Sequence, residues 1–158
     1  RDPEMSRGLG DVYKRQIREC GATTLIDVAT LTGACVVALG DRYTGAFSNS
    51  DELMSKIVQA SILAGENIWR LPMGDEEYDN LNASTVADIA NCGKKCGATA
   101  AARFLGEFVE KKPWVHLDIA GTSESDEDTE IYSKGGTGAA TMLLYEVVKL
   151  MEKPYKSY

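Results

Sequence analysis

The stretch TTLIDVATL, from Thr23 to Leu31, decides the fold class of this chain. It is rich in β-branched and apolar residues, and within its nearly continuous apolar run only Asp27 carries a charge. Such a run is typical of a strand that is covered on both faces, as the strands of a parallel sheet are. The stretch therefore predicts a buried strand in a sheet with helices on either side.

A second strand is predicted at Trp114–Ala120 (WVHLDIA), whose alternation places Val115, Leu117 and Ile119 on one face. The remaining patterns predict a short helix or strand at 34–39, a short strand at 44–48, a helix capped by Ser50 and ended by Gly65, a helix at 98–109, and a last helix after 135–138. Strands that alternate with helices indicate an α/β fold, here a mixed, largely parallel sheet layered between helices.

Helical spacing also predicts which side chains face the core. In the helix after Ser50, one side is predicted to carry Met54, Val58 and Ile62, with Leu53 and Ile57 beside them. In the last helix, the residues predicted to face the core are Ala140, Leu143, Leu144, Val147, Val148 and Met151.

Composition excludes several classes of partner. The 158 residues carry a net charge of −7, and the pI is about 4.8. An acidic surface repels phosphate backbones and anionic lipid heads, so neither nucleic acid nor a membrane is expected as a partner. The most apolar stretch, Ala34–Leu39, is far too short to cross a bilayer, and residues 1–16 lack the apolar run of a signal peptide.

The residues that usually carry chemistry are few. His116 is the single histidine, which argues against His-based metal cages and Ser-His-Asp or Cys-His catalysis within this chain. Four cysteines are too few for a disulfide scaffold of this length, and we expect them to be reduced, as in the cytoplasm. Cys92 and Cys96 form a single pair, for which packed or exposed thiols, a zinc site and a redox pair all stay open. Likewise, Gly135–Gly138 fits either a tight turn or an anion cradle at a helix N-terminus.

Two predicted strand ends stand out. Thr30–Gly33 (TLTG) follows the first strand, and Asp118–Gly121 (DIAG) ends the second. In open α/β sheets, ligands bind at the carboxyl ends of the strands. The sequence therefore favours a ligand site here as much as it favours ordinary strand-to-loop turns.

At DVATLTGA (Asp27–Ala34) the sequence resembles the leucyl aminopeptidase family, the cytosolic two-metal aminopeptidases. The resemblance continues in order along the chain through GAFSN at 45–49, ENIWRLPM at 66–73, the AD and N of ADIAN at 87–91, WVHLDIAG at 114–121 and GGTGAA at 135–140. Several separate motifs in the right order make it specific.

The resemblance implies an enzyme that hydrolyses N-terminal residues from peptides and assembles as a hexamer. Two divalent metals, manganese, zinc or magnesium, would bridge the attacking water or hydroxide, polarise the scissile carbonyl and bind the free amine. It also implies that Thr30, Leu31 and Gly33 form part of the wall beside the metals. The Leu31 carbonyl would accept a hydrogen bond from the substrate, its N–H would lie near a bound bicarbonate, and Ala120 would line the pocket for the first side chain.

Other residues in these blocks receive structural roles by the same resemblance. His116 is expected to be buried and hydrogen-bonded, and Asp118, on the same strand face, to bind backbone or loop groups. Asp27 is expected to be structural as well. Ser123 stands where some members of the family place a larger apolar residue, which leaves the depth of the pocket open.

The family's metal ligands and its catalytic lysine and arginine lie upstream of DVATLTGA, normally in a block close to NTDAEGR. Here that region reads RDPEMSRGLGDVYKRQ, from Arg1 to Gln16, and no residue of it matches those ligands. We therefore assign no catalytic or metal-binding residue in this chain. Residues 1–16 lack a helical or strand period, and GDVYKRQ resembles translated sequencing-adapter read-through. A non-native stretch at 1–16 is predicted, followed by the C-terminal portion of the aminopeptidase catalytic domain at 17–158.

Two hypotheses on function follow. The first is a fragment of a leucyl aminopeptidase that supplies substrate-pocket wall and oligomer surface and has no aminopeptidase activity alone. The second is a non-catalytic binding or interaction module on the same scaffold. A partial sheet with an unpaired edge would favour association of the isolated chain under either hypothesis.

Overall fold

The computed structural model describes residues 3–74 and 97–152. In chain order the elements are α1 (Pro3–Arg18), β1 (Leu25–Ala29), α2 (Gly33–Leu39), β2 (Thr44–Ser48), α3 (Asp51–Ala64), β3 (Ile68–Arg70), α4 (Gly97–Gly106), β4 (Trp114–Asp118), β5 (Glu124–Ser125), β6 (Gly135–Gly136) and α5 (Thr141–Met151). None of the helices in these ranges is both long and apolar enough to cross a membrane.

A four-stranded sheet lies at the centre, in the order β1-β4-β2-β3. β1 and β4 run parallel, with Leu25 opposite Trp114 and Ala29 opposite Asp118. β2 pairs with β4 in the antiparallel sense, and β3 pairs with β2 in parallel. The predicted mixed, largely parallel α/β sheet is confirmed, and the two stretches that predicted it are direct neighbours.

Helices cover both faces of this sheet. On one face, a core cluster joins side chains of α1, α2 and α4 to Leu25, Phe47 and Trp114 of the strands. On the other face, α3 and α5 pack against Ala46, Val115 and Leu117. Because side chains alternate along a strand, β4 directs Trp114, His116 and Asp118 to the first face, and all five residues of β4 are buried.

Helix α1 corrects the sequence analysis, which found no helical period in residues 1–16. The helix spans Pro3–Arg18, and Tyr13 packs into the first core cluster with 2% of its surface exposed. The apolar side chains of α1 are few, but they collect on one side of the helix, and Ile17 packs against the same cluster as Tyr13. This packing supplies stability that helix propensity alone does not. The adapter origin of the stretch stays a prediction.

The covered faces of α3 and α5 also differ from prediction. In α3 the sheet covers Leu53, Met54 and Ile57, whereas Val58 and Ile62 are 42% and 75% exposed. In α5, Leu143 and Val147 are buried, whereas Val148 and Met151 are exposed. The apolar stripe of each helix is wider than the part that is covered. Helical spacing alone therefore placed the centre of the buried face about one residue away from its observed position.

Helix ends follow the chemistry of their residues. Ser50 caps α3 by accepting a hydrogen bond from the Leu53 N–H, and Gly65 ends it in the left-handed conformation, both as predicted. Helix α4 ends at Gly106, short of the predicted Val109, although Val109 remains buried in the turn that follows.

Candidate functional site

The ends of β1 and β4 meet at one edge of the sheet. Ala29 lies opposite Asp118, and the Ile119 N–H donates to the Ala29 carbonyl at 3.0 Å. The segments Thr30–Gly33 and Ile119–Gly121 therefore leave the sheet side by side. The sequence analysis placed both motifs at the ends of strands in one sheet, and the structure shows that these two strands are direct parallel neighbours.

The carboxylate of Asp118 connects these two segments. Its Oδ1 accepts hydrogen bonds from the backbone N–H groups of Leu31 and Ala120, each at 3.1 Å, and from that of Thr32 at 3.5 Å. Its Oδ2 accepts from the Thr32 hydroxyl at 2.7 Å. Asp118 is 1% exposed, so the desolvation of this charge is offset by four donors. The expected role of Asp118, binding backbone and loop groups, is confirmed.

Thr32 extends the arrangement into helix α2. Its side-chain oxygen accepts from the Cys35 N–H at 3.0 Å and so caps the helix. The Cys35 thiol in turn donates to the Asp118 carbonyl at 3.8 Å. Thr32 was not among the predicted site residues. Its place directly before a helical run that starts with glycine was the signal of an N-cap.

The four predicted site residues differ in exposure. Thr30 and Gly33 are exposed, whereas Leu31 and Ala120 are half-buried. Leu31 and Ala120 lie close together because their amides donate to the same oxygen. The Leu31 N–H, which the resemblance placed near a bicarbonate, is thus donated to a carboxylate of the chain itself.

A second buried carboxylate lies on the same face of the sheet. Asp27 accepts hydrogen bonds from His116 Nδ1 at 2.6 Å and from Trp114 Nε1 at 2.7 Å. The His116 ring is fully buried and stacks between Phe47 and Trp114, with ring centroids 6.0 and 6.3 Å away. His116 and Asp27 are therefore hydrogen-bonded core residues, as the sequence analysis expected, although His116 Nε2 is buried without a hydrogen-bond partner among the described residues.

Tyr13 completes this buried group from helix α1. Its hydroxyl is enclosed without a hydrogen bond of normal geometry, close to the Asp27 carboxylate. Burial, and then the negative charge of Asp27, raises the pKa of Tyr13 well above its usual range. The phenol is therefore held in its neutral form.

The described residues do not form a metal site. Within residues 3–74 and 97–152, no three His, Cys, Asp or Glu side chains cluster so that they could hold a metal ion. Both buried aspartates direct their oxygens to internal donors. The residues at hand do not fit the two-metal centre that the resemblance implies. Cys92 and Cys96, the pair considered for zinc or redox chemistry, lie outside the described residues.

The start of helix α5 is occupied by a side chain of the protein. The N–H groups of Ala140 and Leu143 donate to the carboxylate of Glu66, the latter at 3.0 Å. A carboxylate is favoured there by the helix dipole and by unpaired N–H groups. The glycines at 135–138 thus precede a helix end that binds an internal anion.

A cavity of about 430 Å³ lies away from the predicted site residues. It opens beside the turn that follows α4, and its lining includes Asn49, Arg103, Glu107, Glu110 and Lys111. The strand-end segments contribute nothing to this lining, so the cavity is not an extension of the candidate site.

We expect Cys35 to resist alkylation in the folded chain. Burial, and then the nearby Asp118 charge, raises the pKa of the Cys35 thiol from about 9 to about 11, whereas Cys20 is exposed. Iodoacetamide at pH 8, followed by peptide mass mapping, should modify Cys20 and leave Cys35 intact until urea unfolds the chain.

The same shift predicts a loss of stability in alkali. Because the folded pKa is raised, the stabilising contribution of the neutral thiol is complete below pH 9 and is lost as the pH rises through about 11. In the alkylation experiment described above, equal modification of Cys35 and Cys20 in the native chain at pH 8 would contradict the burial of the Cys35 thiol.

Comparisons with known proteins identify the relatives of this chain. The profile described as Cytosol aminopeptidase family, catalytic domain, matches residues 8–145. The probable cytosol aminopeptidase of Alkaliphilus metalliredigens (strain QYMF) is 51% identical over 136 residues, which cover 85% of this chain and 27% of that protein. The protein of the same name from Picosynechococcus sp. is 50% identical over 119 residues, or 75% of this chain and 24% of that one.

Two solved structures are similar in fold and sequence. A mutant of tomato leucine aminopeptidase gives a TM-score of 0.81 at 41% identity, over 89% of this chain and 27% of that chain. The bottromycin maturation enzyme BotP gives a TM-score of 0.85 at 41% identity, over 90% and 32%. The chain therefore spans about a quarter of the curated relatives it matches.

Proposed function

Because this chain belongs to the cytosol aminopeptidase family and contains part of its catalytic domain, we propose that it supplies one wall of the peptide site in a metal-dependent aminopeptidase. The whole enzyme would hydrolyse N-terminal residues from peptides. The observation that carries the proposal is the Asp118 carboxylate, which joins the ends of two parallel strands where the family motifs lie.

Each residue of the wall has a proposed part. Thr30 and Gly33 present exposed surface to the substrate, and the Leu31 carbonyl accepts a hydrogen bond from the peptide. Ala120, half-buried beside them, lines the pocket for the first side chain. In an apolar pocket, one methylene more or less on the substrate side chain changes the free energy of transition-state binding by only about 1–3 kcal/mol. Broad specificity is therefore expected.

The metals belong to the proposal only for the whole enzyme. Two divalent ions, manganese, zinc or magnesium, would be bound by residues other than those described, together with the family's catalytic lysine and arginine. We assign none of those roles to this chain. A bicarbonate near Leu31 would need hydrogen bonds other than the Leu31 N–H, since that donor is bonded to Asp118.

Assembly and location are proposed on the same basis. The whole protein would form a hexamer, and the relatives' names place them in the cytosol, which we propose for this protein too. Several apolar side chains of α2, α3 and α5 are exposed here, among them Val37, Ile62 and Val148. Such residues suit a surface that other parts of an assembly cover.

The proposal predicts that the 158-residue chain binds a peptide without cleaving it. A ¹⁵N-labelled chain titrated with Leu-Leu dipeptide should show saturable shifts of the Leu31, Gly33 and Ala120 amides. An Ala120→Phe variant, which fills the pocket, should weaken binding about tenfold or more because the leucine side chain loses its site. Shifts confined to other surfaces, or none at all, would overturn the proposed wall.

Turnover is the second part of this test. The purified chain should release no p-nitroaniline from leucine p-nitroanilide above the buffer rate, with or without Mn²⁺ or Zn²⁺, because residues 3–74 and 97–152 hold no cluster that could bind the metals. Metal-dependent release that a chelator abolishes would show that this chain holds a complete catalytic centre.

A further inference from the structure

We propose that Asp118 is the positioning residue of the peptide wall, and that its carboxylate sets the relative placement of Leu31 and Ala120. This inference rests on the proposed function, because it concerns the residues assigned there to peptide binding. It adds a specific cause for the shape of the site, which the family motifs by themselves do not reveal.

Four hydrogen bonds to the Asp118 carboxylate support this positioning role. Three of the donors are backbone N–H groups, at Leu31, Thr32 and Ala120, and they come from two segments almost ninety residues apart in sequence. Hydrogen bonds to a charged acceptor are about twice as strong as neutral ones. One buried charge thus binds the backbone on both sides of the proposed pocket.

The fourth donor links this carboxylate to a helix. Thr32 gives its hydroxyl hydrogen to Asp118 Oδ2 and accepts the Cys35 N–H with the same oxygen. The start of α2, and with it Gly33, is thereby fixed relative to Asp118. Both segments of the wall consequently depend on the orientation of one side chain.

Asp27 shows what a purely structural carboxylate looks like in this fold. It lies on the neighbouring strand, on the same face of the sheet, and is also buried. Its hydrogen-bond donors are the side chains of Trp114 and His116, inside the core. A change at Asp27 therefore affects the stability of the core without touching the backbone of the wall, which makes it the matched control.

The experiment compares Asp118→Asn with Asp27→Asn in the 158-residue chain. Asp118→Asn keeps the shape of the side chain but removes the charge. Amide hydrogen exchange at Leu31 and Ala120 should quicken about fivefold or more relative to Val115 and Leu117 in the strand core, and Leu-Leu affinity should fall by a similar factor. Asp27→Asn should leave both quantities within about twofold, since the His116 ring can change tautomer to meet the amide.

The outcomes distinguish failure of the positioning role of Asp118 from failure of the proposed peptide binding. If both variants change exchange and affinity equally, in proportion to their global unfolding, Asp118 is merely structural and the inference is wrong. Unchanged exchange and affinity in Asp118→Asn also overturn it. If the unaltered chain binds no dipeptide, the proposed function fails, whereas the exchange rates still decide whether Asp118 fixes the two segments.

A second variant covers the case in which Asp118→Asn does not fold. Thr32→Val keeps the shape of the side chain and removes only the hydroxyl. Exchange at Cys35 should quicken because its N–H loses the Thr32 acceptor. Exchange at Leu31 should quicken, and Leu-Leu binding should weaken, because the Asp118 carboxylate loses the Thr32 hydroxyl that helps to orient it. Normal exchange at both amides would contradict the link between Asp118 and α2.

Discussion

Replacing Gly121 by alanine is expected to lower the free energy of unfolding by at least about 3 kcal/mol, enough to leave a marginal chain unfolded. A Cβ atom at this position would lie 2.0 Å from the Gly40 carbonyl oxygen and 3.1 Å from the Gly40 carbonyl carbon. Both are backbone atoms, so no rotation of a side chain can relieve the overlap.

The backbone on either side of this contact has little freedom to move. Gly40 ends α2 with a positive φ of 69°, and its N–H donates to the Val36 carbonyl. Ala120, the residue before Gly121, donates its N–H to Asp118. Relief of the overlap would therefore have to distort the end of α2 or the proposed pocket.

Urea denaturation followed by circular dichroism would measure this loss. Gly136→Ala is the matched control, because a Cβ there has no neighbour within 4 Å and Gly136 does not need the left-handed conformation. We expect the control to change stability by less than about 1 kcal/mol. A Gly121→Ala chain as stable as the control would show that the two backbones do not approach as closely as described.

Replacing Asp27 by alanine is expected to cost about 2–6 kcal/mol, because two buried donors lose their acceptor at about 1–3 kcal/mol each. The substitution leaves Trp114 Nε1 and His116 Nδ1 without their acceptor inside the core and opens a small void beside them. Neither ring can turn to solvent, since both are fully buried and stacked on each other.

The same urea denaturation experiment measures the free energy of unfolding of Asp27→Ala beside two control variants. Asp126→Ala removes an exposed carboxylate directly after β5 and should change stability by less than about 0.5 kcal/mol. Asp27→Asn should fall between the two, because an amide can still accept from Trp114 while His116 changes tautomer. A loss below about 1 kcal/mol for Asp27→Ala would mean that the carboxylate contributes little to the core.

Sequence spacing was sufficient for features that depend on near neighbours. The apolar run at Thr23–Leu31 and the alternation at Trp114–Ala120 identified the two central strands, and Ser50 and Gly65 marked the ends of α3. Strand periodicity and helix caps arise from residues within a few positions of one another, so they can be predicted from the sequence alone. That the two strands are direct parallel neighbours, so that their ends share one edge, came from the structure.

Features that join distant residues could not be read in this way. The Glu66 carboxylate at the start of α5 and the donors of Asp118 come from segments far apart in the chain. The packing of Tyr13 in α1 and the exposure of Ile62 in α3 depend on which surfaces meet. Local periodicity carries no information on such partners, because it describes a helix or strand before it is packed.

The sequence by itself therefore determined the family, the α/β class and the edge of the sheet where the motifs collect. Only the tertiary structure decided that Asp118 connects Leu31 to Ala120 and that Asp27 serves the core. Both aspartates sit in apolar strands and look alike in the sequence. The role of a buried carboxylate depends on the hydrogen-bond donors that lie within its reach. Strand pairing and helix packing between distant segments determine which donors those are.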